Sequence, residues 1–267
     1  MYTNYSDQLM DITVKLELGT KAICESREYQ KYLNVMSHFH SYSASNCLLI
    51  LMQKPDATYI AGYNTWQKQF SRNVRRGEKA IRIIAPVRKQ AKENEEKTDI
   101  LHFRAASVFD ISQTEGKPLP YSELKKISGD VEQFDIFLKK LCRISPVPVI
   151  IEDTGSHAHG YYDKAENKII IAPDLPEPHM LKTAVHEIAH AVLHNSREIS
   201  REQMEVEAES VAYVVMKHYG IDTSEYSFPY IALWSSSADH NELRNSMELI
   251  RSCSNRIITD LASVRIK

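Results

Sequence analysis

The run Val185-His186-Glu187-Ile188-Ala189-His190-Ala191 limits what this chain can become more than any other stretch. Two imidazoles stand four residues apart with a carboxylate between them. On a helix, residues i and i+4 share a face one turn apart, so both rings can reach a single metal ion. Glu187 then falls near the open side of that ion, where it can take a proton from a water. A five-residue pattern of this kind arises by chance about once in a hundred chains of this length. The plain alternative is a buried helix whose histidines only pack or hydrogen-bond.

The surroundings predict one helix from Glu177 to His194. Pro176 and Pro178 suit a helix start, where a missing N–H costs little. Leu181, Val185, Ile188, Ala189 and Val192 recur at helical spacing and make an apolar face, with His186 and His190 beside it. A zinc site takes a third protein ligand and leaves the fourth position to water. The next segment, Arg201-Glu202-Gln203-Met204-Glu205-Val206-Glu207-Ala208-Glu209-Ser210, opens a second helix that should run to about His218. Glu205 and Glu209 are again i and i+4. Glu205 is expected to bind the metal and Glu209 to support a ligand histidine through its free ring N–H, while Glu207 points elsewhere. A solvated acidic helix start, which the helix dipole favours, is the competing reading. His194 extends the histidine row by one turn. Asn195-Ser196-Arg197 does not supply the glycine and third histidine of the metzincin pattern.

With 267 residues the chain can hold one large domain or two ordinary ones. A hydrophobic share of 43% and a charged share of 25% are those of a soluble globular protein. The net charge of −2 excludes a global field that drives the chain to nucleic acid, so any basic site must be local. No apolar run approaches the roughly 18 residues of a membrane span, and the first residues carry no basic end followed by an apolar core, so no membrane and no secretory signal are expected. Cys24, Cys47, Cys142 and Cys253 are scattered and form no CxxC pair. They read as reduced and mostly buried, which points to the cytoplasm, and not as metal ligands. There is no Walker loop, no Rossmann glycine pattern and no internal repeat.

The N-terminal part is helical in pattern over residues 8–54, with breaks that divide it into three helices. Leu9, Ile12, Leu16 and Leu18 mark the first. Tyr29, Tyr32, Leu33, Met36 and Phe39 mark the second, and Ser43 to Met52 the third, ending before Pro55. Tyr59 to Trp66 is aromatic and turn-prone. Lys79 to Val87 alternates as a strand, with Ile81, Ile83 and Ala85 on one face and Arg82 on the other. Ile100 to Phe109 is a second strand, and Arg88 to Thr98 reads as the hairpin loop between them. From Arg72 to Lys92 there are eight Lys/Arg and one Glu, a local balance of +7. Basic residues beside Tyr59, Tyr63 and Trp66 suit single-stranded nucleic acid, with cations on phosphates and bases stacked on rings. A solvated charged hairpin with core aromatics is the other reading of the same residues.

Gly116-Lys117-Pro118-Leu119-Pro120 breaks the composition and sets a boundary near residue 120. A helix from Val131 to Cys142 follows. Pro146 to Ile151 and Lys168 to Pro173 read as strands, with Asp163 to Asn167 as a hairpin turn. His157, His159 and Tyr161 lie in or beside a Gly-containing loop and are candidate oxyanion donors, or plain surface residues. Tyr226 to Trp234 and Asp239 to Leu261 are expected to be helical and to cover the back of the motif helices.

Two sets of motifs resemble known families. His186-Glu187-Ile188-Ala189-His190-Ala191 followed by Glu205-Val206-Glu207-Ala208-Glu209-Ser210 resembles the metallopeptidase domain of the ImmA/IrrE group. It is also similar to the C-terminal domain of ArdC-type antirestriction proteins. In those families the glutamate opening a Glu-x-x-Ala pattern completes the metal site, and it maps to Glu205. Tyr42-Ser43-Ala44-Ser45-Asn46-Cys47-Leu48-Leu49-Ile50, Gly62-Tyr63-Asn64-Thr65-Trp66, Arg72-Asn73-Val74-Arg75-Arg76-Gly77-Glu78-Lys79-Ala80-Ile81 and Val108-Phe109-Asp110-Ile111-Ser112-Gln113-Thr114 are similar, in order and spacing, to the N-terminal single-stranded-DNA-binding domain of the ArdC family. The family's usual Gly-Glu-Lys-Gly is Gly77-Glu78-Lys79-Ala80 here, a change expected to keep the turn.

The expectation is an α+β chain. Residues 1–120 form a helical and small-sheet domain that binds single-stranded DNA, and residues 121–267 form a zincin-like metallopeptidase domain. His186, His190 and Glu205 hold zinc (Zn2+), Glu187 is the catalytic base, and Glu209 supports a ligand. DNA contact is expected at Tyr63, Trp66, Arg72, Arg75, Arg76, Lys79 and Arg82. The resemblance implies antirestriction or protection of incoming DNA in a mobile-element setting, with a peptide or protein substrate. Two other readings stand beside it: a DNA-binding protein whose metal domain is catalytically silent, and an ImmA-like regulatory protease that clips a repressor.

Overall fold

The computed structural model describes residues 5–23, 26–88, 101–119, 131–155, 158–221 and 240–266. It opens with three helices, α1 (Tyr5–Ala22), α2 (Ser26–Phe39) and α3 (Ala44–Gln53). Tyr29, Tyr32, Leu33 and Met36 are fully buried along one face of α2, the i, i+3, i+4, i+7 spacing of a core helix. Ser43 caps α3 by accepting the Asn46 N–H, and Pro55, which has no N–H to give, stands just beyond its end.

A small sheet follows. Its strands are β1 (Ile60–Gly62), β3 (Ile81–Arg88) and β4 (Leu101–Asp110), in the order β1-β4-β3 with antiparallel pairs. Between them lie α4 (Tyr63–Phe70) and β2 (Arg72–Val74), which pairs with β5 (Thr114–Gly116). The Tyr59 to Trp66 stretch, which reads as a turn, is thus a strand running into a helix. Ile81 and Ile83 face the core and Arg82 faces out, as the alternation predicts. Asp110 ties this region together: its carboxylate accepts the N–H groups of Thr58, Tyr59 and Ser112 at 2.8, 3.0 and 2.9 Å. Gln113 returns the bond by accepting the Asp110 N–H and donating to the Lys79 carbonyl. Residues 89–100, where a hairpin loop was expected, lie outside the described residues.

β3 is an edge strand, and α3 closes that edge with side-chain amides. Asn46 accepts the Ile84 N–H and donates to the Ile84 carbonyl, both at 2.8 Å. Two turns along α3, Gln53 does the same for Arg82, at 2.9 Å in each direction. Pro86, the next residue of that parity, has no N–H to offer. Among the described residues, the edge at Arg82 and Ile84 is therefore already paired and not open to another strand. Asn46→Leu keeps the side-chain size but strands a partly buried N–H and carbonyl; unfolding stability should fall by about 1–3 kcal/mol. Urea titration checks this, and an unchanged midpoint would mean that the amide bonds contribute nothing net.

Beyond residues 120–130, which also lie outside the described set, come α5 (Val131–Ile144), β6 (Val149–Ile151), β7 (Gly160–Asp163) and β8 (Lys168–Ile171). The sheet order is β6-β8-β7, with β6 parallel and β7 antiparallel to β8. Asn167 takes a left-handed φ of 53° in the turn between β7 and β8. Three long helices complete the described chain: α6 (Glu177–Leu193), α7 (Arg201–His218) and α8 (His240–Ser263). Gly220, at φ 72°, ends the α7 turn. The helix expected over Tyr226 to Trp234 lies outside the described residues.

One apolar core runs through both halves. α2 packs on α7 and α3 on α8, and the Tyr29 hydroxyl shares a buried 2.7 Å hydrogen bond with that of Ser210. The α7 helix that carries the acidic residues is thus backed by the N-terminal helices.

Candidate metal centre

α6 begins after Pro176 with Pro178 in its first turn, where proline's fixed φ is already helical. Leu181, Ala184, Val185, Ile188 and Ala189 are buried on its core face, leaving His186 and His190 partly buried at the margin. α7 begins at a Ser200 cap, whose hydroxyl accepts the Gln203 N–H. The two helices pack against each other, with Glu205 opposite the histidines.

The Nε2 atoms of His186 and His190 are 3.0 Å apart. Glu205 Oε2 lies 3.4 Å from the first and 3.8 Å from the second. Tetrahedral ligands held at about 2.0–2.1 Å from a metal are separated by about 3.4 Å. The three observed separations bracket that value. One oxygen and two imidazole nitrogens, all presented to one point, fit a divalent cation.

The outer ring nitrogen of each histidine is also engaged. His186 Nδ1 is 3.3 Å from Glu209 Oε2, and Glu209 is itself bonded to Lys182 at 2.7 Å. His190 Nδ1 is 2.9 Å from Nδ1 of His194. Charge follows these contacts. Burial opposes a proton on His186, yet the Glu205 and Glu209 carboxylates outweigh it and raise the ring to about 9. The His186 and His190 rings beside it hold Glu205 well below the usual carboxylate range. Burial raises Glu209, but bonds to His186 and Lys182 win and bring it down. Glu187 goes the other way: desolvation raises its carboxyl more than the nearby histidines lower it, and the Tyr162 N–H on β7 bonds to it. It is 7% exposed. One carboxylate of the cluster is thus held low while its buried neighbour is raised.

Glu207 is fully buried and does turn away from the three donors, toward His194 and Arg197. The sequence gives no sign of how many groups meet it there. His159 is exposed and stacks on His179 with ring centroids 6.4 Å apart. Tyr161 is exposed on β7, and His157 lies outside the described residues. Cys47, Cys142 and Cys253 are free thiols.

The residues expected to contact DNA fall into three groups. Trp66 requires a correction: its ring is 0% exposed and its Nε1 donates to the Phe109 carbonyl at 2.9 Å, so it belongs to the core and offers no face to a base. Tyr59 and Phe70 pack around it, with centroids 5.6 and 5.3 Å away. Arg72, Arg75 and Arg82 are occupied by the protein itself. Arg72 donates to Thr114 and Gly116, Arg75 to Glu78 and Ser112, and Arg82 to Ser107. Tyr63, Arg76 and Lys79 are exposed.

Comparison with known proteins defines the class. Residues 4–109 match the family described as the N-terminal domain of anti-restriction factor ArdC. Residues 142–238 match the IrrE N-terminal-like domain, Peptidase M78. The chain thus joins an ArdC-type N-terminal domain to a zincin-like M78 domain in an α+β fold. Among individual proteins it is similar to an uncharacterized protein of Bacillus anthracis, with 30% identity over 84% of this chain. The match spans 46% of that relative's length, about half. The fold is that of antirestriction protein ArdC from the R388 plasmid. The metal-free structure superposes with a TM-score of 0.56 at 17% identity, covering 84% of this chain and 87% of the other. The Mn(II)-bound structure gives 0.61 at 17%, covering 94% and 99%. No helix among the described residues is long and apolar enough to cross a membrane.

Proposed function

We propose that this chain is a zinc-dependent metallopeptidase that also binds single-stranded DNA, and that it acts in the cytoplasm to protect incoming DNA or to counter restriction. The observation that carries the first part is the convergence of His186 Nε2, His190 Nε2 and Glu205 Oε2 at 3.0, 3.4 and 3.8 Å, with Glu187 beside them. A divalent ion held by these three groups supplies Lewis acidity to a peptide carbonyl and to water. Glu187 takes a proton from water as the water oxygen bonds to the carbonyl carbon, then delivers that proton to the amine as the C–N bond breaks. The Tyr162 N–H fixes the carboxylate's direction, and Glu209 fixes the His186 ring from behind. The DNA part rests on the ArdC-type N-terminal domain and on exposed Tyr63, Arg76 and Lys79.

Elemental analysis after equilibration with zinc, beside single-strand gel shifts at low salt, tests the two parts separately. One zinc per chain is expected in wild type and much less in His190→Ala. A labelled oligonucleotide should be retarded, and retarded less by an Arg76→Ala/Lys79→Ala variant. The metal reading fails if wild type and His190→Ala carry the same metal; the DNA reading fails if the oligonucleotide never shifts or the double variant binds as wild type does.

A further inference from the structure

We propose that His194 and Glu207 form a relay that fixes the ring orientation and the proton position of the ligand histidine His190. The proposal rests on the metal-centre reading above. His190 presents Nε2 to the donor cluster, so its Nδ1 must carry the ring proton if Nε2 is to coordinate a metal. That Nδ1 meets another Nδ1, on His194, at 2.9 Å. Two neutral imidazoles can share such a contact only if one donates and the other accepts. With His190 donating, His194 Nδ1 accepts, and the His194 proton sits on Nε2. Its partner there is Glu207 Oε2, a pure acceptor, at 3.0 Å. Every proton then has one place to go.

The far end of the relay is anchored on three elements. Glu207 is 0% exposed. Its carboxylate also accepts from Arg197 in the α6–α7 loop, from Gln203 one turn earlier on α7 at 3.1 Å, and from Ser246 on α8 at 2.6 Å. Gln203 bridges to Ser246 as well, at 3.0 Å. A buried carboxylate must be paired and fully hydrogen-bonded to be tolerated. Arg197, Gln203 and Ser246 would achieve that alone, as a structural staple. The staple has no need of His194, which spends its second nitrogen on a metal ligand. That is the arrangement of an acceptor that orients a ligand ring, extended by one imidazole. His194 is therefore a positioning residue: it acts through His190 and touches no reacting atom.

The test compares His194→Leu, which fills the space without polar atoms, with His194→Gln. The glutamine amide carries an acceptor and a donor on neighbouring atoms and can bridge His190 to Glu207 as the imidazole does. Three measurements are made on the full chain: thermal unfolding, zinc affinity by competition with a chelator, and imidazole ¹⁵N NMR of the metal-free protein. Loss of an outer-shell partner typically weakens metal binding 10–100-fold, so His194→Leu should lose about that much and His194→Gln should regain most of it. In metal-free wild type the NMR should show His194 held as the Nε2–H tautomer and His190 as Nδ1–H. In His194→Leu, His190 should become a mixture. A merely structural staple would change unfolding temperature in both variants without separating them in affinity or tautomer. Equal affinities in wild type and His194→Leu, or a His190 tautomer that is mixed in wild type, would overturn the relay. Should wild type itself bind no zinc, the metal reading fails while the tautomer spectrum still decides the relay.

Discussion

Glu187→Gln is expected to lower peptide hydrolysis by about 10²–10⁴-fold, the usual contribution of a positioned general base, while zinc content stays that of wild type. Glutamine matches glutamate in shape, and its carbonyl oxygen can still accept the Tyr162 N–H. What it cannot do is take a proton. Metal content should hold because the three converging donors belong to His186, His190 and Glu205, not to Glu187. The fold should hold too, since the substitution removes a carboxyl that burial already disfavours in its charged form. The loss corresponds to about 3–5 kcal/mol of barrier, well outside the error of a steady-state assay on casein or a peptide pool. A variant as active as wild type would assign the proton transfer to another group, and a variant that loses its zinc would mean that Glu187 is itself a ligand. Protection of DNA from a restriction enzyme, measured with the same variant, separates the two proposed roles: retained protection would mean that it needs no proteolysis.

The pairing of candidate donors along each helix was legible in the sequence because it depends on local periodicity, whereas the choice of Glu205 over Glu209 to face both histidines depends on how the two helices pack. His186 and His190 share a face by the i, i+4 rule, as do Glu205 and Glu209, and a helix turns Glu207 away from both by its 100° step. The observed limits of α6 and α7, Glu177–Leu193 and Arg201–His218, sit within a residue of the expected ones because caps and prolines mark them. The partners of Glu207 were not legible. Ser246 is 39 residues away, and nothing in a linear pattern announces that α8 will cross α7 there. Strands β1, β2 and β5, of three residues each, are too short for alternation to show. α4 starts at Gly62 with no side-chain cap, so its beginning looked like a turn. Likewise Asn46 and Gln53 lie on one face of α3, two turns apart, yet their task becomes visible only when β3 is laid beside them.

Trp66→Ala is expected to cost about 3–5 kcal/mol of unfolding stability, the range for deleting a large aromatic from a core. The indole is 0% exposed, sits between Tyr59 and Phe70, and satisfies the Phe109 carbonyl on β4. Its removal leaves a cavity and an unpaired acceptor where α4 meets the sheet. Native domains hold about 5–15 kcal/mol in all, so this single change consumes a large part of the margin and should lower the denaturant midpoint strongly. Tyr63, one turn earlier on the same helix, is 52% exposed, and Tyr63→Ala should cost less than about 1 kcal/mol. The basic neighbourhood made the two rings look alike in the sequence; packing separates them. Oligonucleotide binding should follow the same division. Tyr63→Ala should weaken it, whereas Trp66→Phe, which keeps most of the volume, should bind as wild type does under conditions where it is folded. The opposite pattern, with Trp66→Phe losing DNA and Trp66→Ala as stable as wild type, would place the indole on the surface and refute its assignment to the core.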